Sequence, residues 1–148
     1  MDLQLSQSVQ RLCQQQDVTL YMGLLAAYQG LLSRLSGQTD IAIGSPVANR
    51  NHAGLDSLIG FFVNMLVMRT DMSGDPNYLD LLQRVRDVAL NAYSNQDLPF
   101  EQVVDAVVSE RDAALHPLFQ VHFALQNAPT GEMTLPCLLY TSPSPRDA

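Results

Sequence analysis

The sequence has 148 residues, 47% of them hydrophobic, which is enough for one globular domain with its own core. Its basic residues are eight scattered arginines against fifteen acidic residues, and a net charge of −7 without a basic patch argues against nucleic acid and anionic membranes as partners. The two cysteines, Cys13 and Cys137, have no further ligands at metal-binding spacing, so we expect neither a metal site nor a disulfide framework. The sequence shows neither a signal-like start nor an apolar run of membrane-spanning length, and we expect no membrane contact and a cytoplasmic location.

Two helices are predicted first. Leu5, Val9 and Leu12 recur at helical spacing, which indicates a helix that ends near Asp17. Thr19 is predicted to cap the second helix and Gly37 to end it. The apolar stripe predicted for the second helix consists of Leu20, Leu24, Tyr28, Leu31, Leu32 and Leu35.

Two strands are predicted next. Residues 39–45 resemble a short strand around Ile41 and Ile43, and Pro46 and the following asparagines indicate a loop. In residues 59–72 both the odd-numbered and the even-numbered positions are mainly apolar as far as Met68, so both faces of a strand would be apolar. We therefore expect a strand buried on both faces.

The remaining elements are two helices and a strand. Asp75 and Pro76 are predicted to cap and begin a helix with its core side on Tyr78, Leu81, Leu82, Val85, Val88, Ala89 and Ala92. A shorter helix follows over residues 100–107, and residues 119–125 alternate as in a half-exposed strand. This order of elements predicts an α/β layered domain.

Four segments carry a family resemblance. They are Gly44–Arg50 (GSPVANR), Ile59–Asn64 (IGFFVN, continued to Arg69), Asn95–Glu101 (NQDLPFE), and Arg111-Asp112 followed by Pro117-Leu118. Together and in this order they resemble the signatures of condensation domains of non-ribosomal peptide synthetases. The likeness covers about residues 20–126.

The resemblance implies a fold of the chloramphenicol acetyltransferase-like type, in which two α/β sandwich halves form a V around a tunnel. This chain resembles the second half only. We expect residues 1–127 to form this C-terminal subdomain and residues 128–148 to be a linker and a non-native tail. From about Cys137 the sequence resembles a translated sequencing adaptor, and a natural Ser-Pro linker is the alternative.

The resemblance also implies an activity for the parent domain, which joins carrier-bound acyl or peptidyl and aminoacyl thioesters through an amide bond. The implied partners are peptidyl carrier proteins, the first half of the domain and an adjacent adenylation domain. Cofactors are expected only as phosphopantetheine arms on the carriers, none bound directly. Alternatives within the superfamily are an epimerisation or heterocyclisation domain, and a further alternative is a non-catalytic platform that docks carrier proteins or tailoring enzymes.

The family's catalytic motif is a pair of adjacent histidines followed after three residues by Asp-Gly, in the first half. His52, His116 and His122 do not match it, so we assign no catalytic residue and expect the isolated chain to be inactive. Each of the three is predicted to be solvated or to cap a turn.

Asn64 and Ser45 are the candidate substrate-binding residues. Asn64 interrupts an apolar strand and must find hydrogen-bond partners. It is predicted either to tie the strand to a loop, which we favour, or to face the tunnel as a polar donor. Ser45 lacks the context of a catalytic nucleophile, and by resemblance its loop could line the tunnel floor.

Three charged positions have structural predictions. Arg69 is predicted to lie on the strand face opposite Asn64, in an ion pair with an acidic group on an adjoining helix. Asp97 and Glu101 are predicted to cap the start of a helix.

Overall fold

The computed structural model describes residues 3–49, 54, 58–108 and 116–126. Its elements in chain order are α1 (Leu3–Gln15), α2 (Leu20–Ser36), β1 (Asp40–Val47), β2 (Asn64–Asp71), α3 (Tyr78–Ser94) and α4 (Phe100–Val107). β1 and β2 pair antiparallel, from Asp40 opposite Asp71 to Val47 opposite Asn64. A third segment, residues 119–125, lies beside β1 and is joined to it by a parallel bridge between Gly44 and His122.

The ends of α2 are formed by the two residues that the sequence predicts. Thr19 accepts a hydrogen bond from the Met22 amide, and Gly37 ends the helix in the left-handed conformation at φ 71°. The start of α3 differs from its prediction. Its cap is Asn77, whose side chain accepts bonds from the amides of Leu79 and Asp80, so the prediction of Asp75 and Pro76 was two residues early.

Helices α2 and α3 pack on one face of the sheet and enclose the core. α3 contributes Leu81, Leu82, Val85 and Ala89, as predicted. The stripe predicted for α2 was wrong in part, because Tyr28 and Leu32 pack against the core whereas Leu31 and Leu35 are exposed. Its buried face instead contains Met22, Gly23, Leu25, Ala26 and Gln29. This helix carries apolar residues on several sides, so spacing alone did not identify the face that packs.

β2 is shorter and more exposed than its prediction. It begins at Asn64, and the preceding Ile59 and Phe61 are exposed rather than part of a buried strand. Within β2 the core face is buried at Leu66, Met68 and Thr70, whereas the other face ends in exposed Arg69 and Asp71. The prediction of burial on both faces was wrong because helices α2 and α3 cover only one of them.

The third segment shows the predicted alternation. Val121 and Phe123 are partly buried against the core, and His122 between them is exposed. The Gly44 amide donates to the Val121 carbonyl at 3.0 Å, and the Phe123 amide donates to the Gly44 carbonyl at 2.9 Å. The Phe119 ring lies directly over Gly44, where a Cβ atom would overlap it.

Several predictions fall outside the described residues. They concern His52, Arg111, Asp112 and the tail from Cys137 onward. Within the ranges described above, the longest helices, α2 and α3, are neither long nor apolar enough to cross a membrane.

Candidate functional site

A pocket of about 390 Å³ opens beside the end of β1, where the third segment passes. Ser45 contributes a hydroxyl to its wall, together with the rings of Tyr21 and Tyr93. The other described residues that line it are uncharged: Pro46, Val47, Ala48, Val63, Ala124, Leu125 and Gln126. A wall of this kind suits a neutral ligand that carries a few hydrogen-bonding groups.

Ser45 lies within β1, in agreement with the strand predicted over residues 39–45, and the strand continues through Pro46 to Val47, where we predicted a loop. Its side chain points to the helix-covered face and is 3% exposed. The hydroxyl of Tyr21, in the first turn of α2, donates to Ser45 Oγ at 2.7 Å. Ser45 is therefore a fixed hydroxyl at the edge of the pocket.

Tyr21 and Tyr93 form the aromatic part of the site. Their ring centroids are 6.4 Å apart, and Tyr21 also packs on Phe123 at 5.6 Å. Burial, with the charge and hydrogen bond of Tyr21 adding to it, raises the pKa of Tyr93 to about 12. Burial also raises the pKa of Tyr21, although its hydrogen bond with Ser45 opposes this. Both tyrosines are thus neutral donors at physiological pH.

Sequence reasoning missed both tyrosines. Tyr21 follows the capping residue of an apolar helix by two positions, and Tyr93 lies near the end of another helix. An aromatic residue at such a position is typical of core packing. Only the fold brings Ser45, 24 residues away, within reach of Tyr21.

Asn64 makes the loop contact that we favoured for it. Its Nδ2 group donates to the carbonyls of Gln96 and Leu98, both at 2.8 Å, and its Oδ1 accepts from the Phe100 amide at 3.1 Å. These bonds use both N–H groups of the amide. Asn64 pairs with Val47, a residue of the pocket wall, so it holds the α3–α4 loop beside the pocket.

The contact with Phe100 also explains how α4 begins. The residue at the cap position is Pro99, whose side chain has no hydrogen-bonding group, and Asn64 supplies the missing acceptor from β2. Glu101 lies in the first turn of α4, at the helix start where we predicted it, and a capping role for Asp97 stays a prediction. A carboxylate there interacts favourably with the helix dipole.

Arg69 lies on the face opposite Asn64 and forms the predicted ion pair, with an N–O distance of 2.6 Å. Its partner is Asp40 on the neighbouring strand, not an acidic group on a helix, so that part of the prediction was wrong. The hydrogen bond from Arg69 lowers the pKa of Asp40. Both side chains are mostly exposed, and the pair fastens the end of the sheet rather than forming a site.

His116 and His122 lie on the outer face of the sheet. His116 packs on Phe119 with ring centroids 4.0 Å apart, and His122 meets the edge of the same ring at 4.9 Å. Both are exposed, as predicted. In the part of the chain that the structure describes, His, Cys, Asp and Glu side chains do not gather in threes at a possible metal site.

Comparison with known proteins places these features in a family. The sequence profile of the condensation domain matches residues 1–136. The chain belongs to the condensation domain family. It is 51% identical over 128 residues to the dimodular nonribosomal peptide synthase of Bacillus subtilis, an alignment that covers 86% of this chain and 5% of that protein. To malpinin synthetase of Mortierella alpina it is 51% identical over 140 residues, which are 95% of this chain and 2% of that protein.

Solved structures support the same condensation-domain assignment. The four-domain nonribosomal peptide synthetase holo-AB3403, bound to AMP and glycine, superimposes with a TM-score of 0.82 at 27% identity, over 86% of this chain and 10% of that one. The X-domain from teicoplanin biosynthesis, solved in complex with OxyB, gives 0.73 at 27% identity, over 77% and 25%. The predicted chloramphenicol acetyltransferase-like fold is confirmed, and the chain spans only a small part of each relative.

Proposed function

We propose that this chain forms the C-terminal wall of a condensation domain whose parent protein joins two carrier-bound thioesters through an amide bond. The pocket beside Ser45 is the observation that carries the proposal. Its described walls are uncharged and its one small hydroxyl is buried and held by Tyr21. Such a surface suits a neutral acyl thioester or amide on a phosphopantetheine arm, whereas a charged ligand would be desolvated there without a partner.

The partners follow from the same proposal. Peptidyl carrier proteins present both substrates, and the first half of the domain supplies the histidine pair that this sequence lacks. An apolar run at Leu58, Ile59, Phe61 and Val63 supports the contact with the first half, because all four side chains are substantially exposed. We include an adjacent adenylation domain, which would load the acceptor carrier.

We propose different roles for the two candidate substrate-binding residues, Ser45 and Asn64. Ser45 is part of the pocket wall, and we propose that it contacts the substrate directly. For Asn64 we propose a contribution through the α3–α4 loop, because both of its N–H groups already bond to Gln96 and Leu98. A direct bond from Asn64 to substrate stays a prediction that the following experiment tests.

The test is a chimeric condensation domain in which the aligned part of this chain replaces the matching 128 residues of the dimodular nonribosomal peptide synthase of Bacillus subtilis. With both carriers loaded, the chimera should form the dipeptidyl thioester, and this chain alone should form none. Ser45→Ala should lower the rate about five- to tenfold, the equivalent of one net hydrogen bond, and a comparable loss in Asn64→Ala without a loss of stability would indicate a direct bond to substrate. A folded chimera that forms no product while its parent does would refute the proposal.

A second candidate is a non-catalytic docking platform, favoured by the likeness to the X-domain that was solved with OxyB. A chimera that binds a loaded carrier and stays inactive would support it. Epimerisation and heterocyclisation domains differ from the main proposal in the first-half motif. The genomic sequence upstream of the codon for Met1 therefore distinguishes them.

A further inference from the structure

The hydrogen bond from the Tyr21 hydroxyl determines which further hydrogen bonds Ser45 can form. A serine hydroxyl has one proton to donate and two lone pairs that accept. Tyr21 donates to Ser45 Oγ at 2.7 Å, so Ser45 acts as the acceptor in this bond. Its own proton is then available for a bond in another direction, and the pocket adjoins Ser45 there.

Tyr93 lies beside this pair of hydroxyls. Its ring centroid is 6.4 Å from that of Tyr21, and both rings line the same pocket. Burial, with the charge and hydrogen bond of Tyr21 adding to it, raises the pKa of Tyr93 to about 12, so Tyr93 stays a neutral phenol next to Tyr21.

We propose that Tyr21 is a positioning residue that directs the Ser45 proton into the pocket, where it donates to a neutral carbonyl of the bound substrate. This inference deepens the proposed function and rests on it for the identity of the ligand. The carbonyl is that of a thioester or of a pantetheine amide. A carboxylate or phosphate is disfavoured because the described residues of the pocket carry no cation to pair with it.

The obvious competing explanation is that Tyr21 only fills space. Its ring contacts Phe123 and Tyr93, and these contacts do not need the hydroxyl. Tyr21→Phe keeps the ring and removes the donor. Tyr28→Phe is a matched control, because Tyr28 lies on the same helix and stacks on the same Phe123 ring at 5.6 Å, outside the pocket.

The kinetic test uses the chimeric domain described above. Tyr21→Phe should lower kcat/KM about as much as Ser45→Ala, roughly five- to tenfold, and the double variant should lose no more than either single variant. Tyr28→Phe should leave the rate unchanged. Independent, multiplying losses at positions 21 and 45, or an unchanged rate in Tyr21→Phe, would overturn the positioning role.

A second measurement needs no activity and uses this chain alone. Tyrosine labelled with ¹³C at Cζ reports the pKa of each phenol by NMR titration. Tyr21→Phe should lower the pKa of Tyr93 from about 12, because the charge and hydrogen bond of Tyr21 contribute to raising it. Ser45→Ala should raise the pKa of Tyr21, because the ionised phenolate then loses the Ser45 hydroxyl, which can rotate to donate to it. Unchanged pKa values in both variants would overturn the hydrogen bonding of the Tyr21 hydroxyl, and with it the positioning role, even if the chimera were inactive. The expected shifts beside an inactive chimera would count against the proposed function alone.

Discussion

Replacing Gly44 with alanine should destabilise the protein strongly for a change of one methyl group. The new Cβ would overlap two atoms of the Phe119 ring and approach its Cδ2 atom at 2.8 Å. Phe119 is 1% exposed and has little room to move. Gly44 also bonds to the third segment through both its amide and its carbonyl, so a shift of β1 would disturb those bonds.

The size of the effect follows from these contacts. Adding a methyl group to a well-packed interior costs about 1–3 kcal/mol, and we expect Gly44→Ala to fall in the upper half of that range. Gly30→Ala is the matched control, since its Cβ would meet only Leu81 Cδ2 at an ordinary 3.6 Å. Within helix α2 the same substitution should stabilise by about 0.5–1 kcal/mol.

Urea unfolding followed by far-UV circular dichroism measures both variants against the parent. A third variant, Phe119→Ala, removes the ring, and in that background Gly44→Ala should lose most of its cost. A Gly44→Ala protein as stable as the parent would refute the packing argument. So would a cost that is the same with and without the Phe119 ring, because the overlap would then not be its cause.

Three further substitutions test other contacts. Asn64→Ala should lower the free energy of unfolding by about 1–2 kcal/mol and speed hydrogen exchange at the Phe100 amide, measured by NMR; unchanged exchange would contradict the capping role. Between pH 10 and about 12 the parent should lose stability, because the unfolded chain has released the Tyr93 phenol proton while the folded protein still holds it. Tyr93→Phe should lose less stability over the same range, and melting temperatures measured across it check this. Asp40→Asn should be less stable than the parent above about pH 4, and the difference should vanish as acid protonates Asp40 and breaks its bond with Arg69; acid-unfolding curves that differ equally at all pH values would contradict this.

The sequence predicted elements well where a local signal determines them. Thr19 and Gly37 bound α2 because capping and a left-handed turn need only neighbouring residues. The apolar spacing of α3 identified its buried face because polar residues occupy the other side. The same method failed for α2, where exposed Leu35 resembles a core residue in sequence.

The contacts that build the site could not be predicted, since they join residues far apart in sequence. Ser45 was identified through a family-like motif, yet nothing near it indicates that Tyr21 would bond to it. We predicted an ion pair for Arg69 but placed its partner on a helix. The true partner depends on the strand pairing, in which Ala42 lies directly opposite Arg69 and Asp40 is two residues away from Ala42 along β1. Pairing of this type is fixed by tertiary packing and not by local propensity.

The bonds of Asn64 give a physical meaning to two of the motifs by which the family is recognised. The IGFFVN segment ends in Asn64, and NQDLPFE provides all three of its partners through backbone atoms of Gln96, Leu98 and Phe100. Because these partners are backbone atoms, their bonds to Asn64 do not depend on which side chains stand at positions 96, 98 and 100. The proline before Phe100 contributes by restricting the backbone conformation of the loop. Aspartate at position 64 would keep the acceptor for Phe100 and lose both donors, and would bring a negative charge against two carbonyl oxygens. In this chain Asn64 thus satisfies a helix start and a loop together, and its bonds join the two motifs in space.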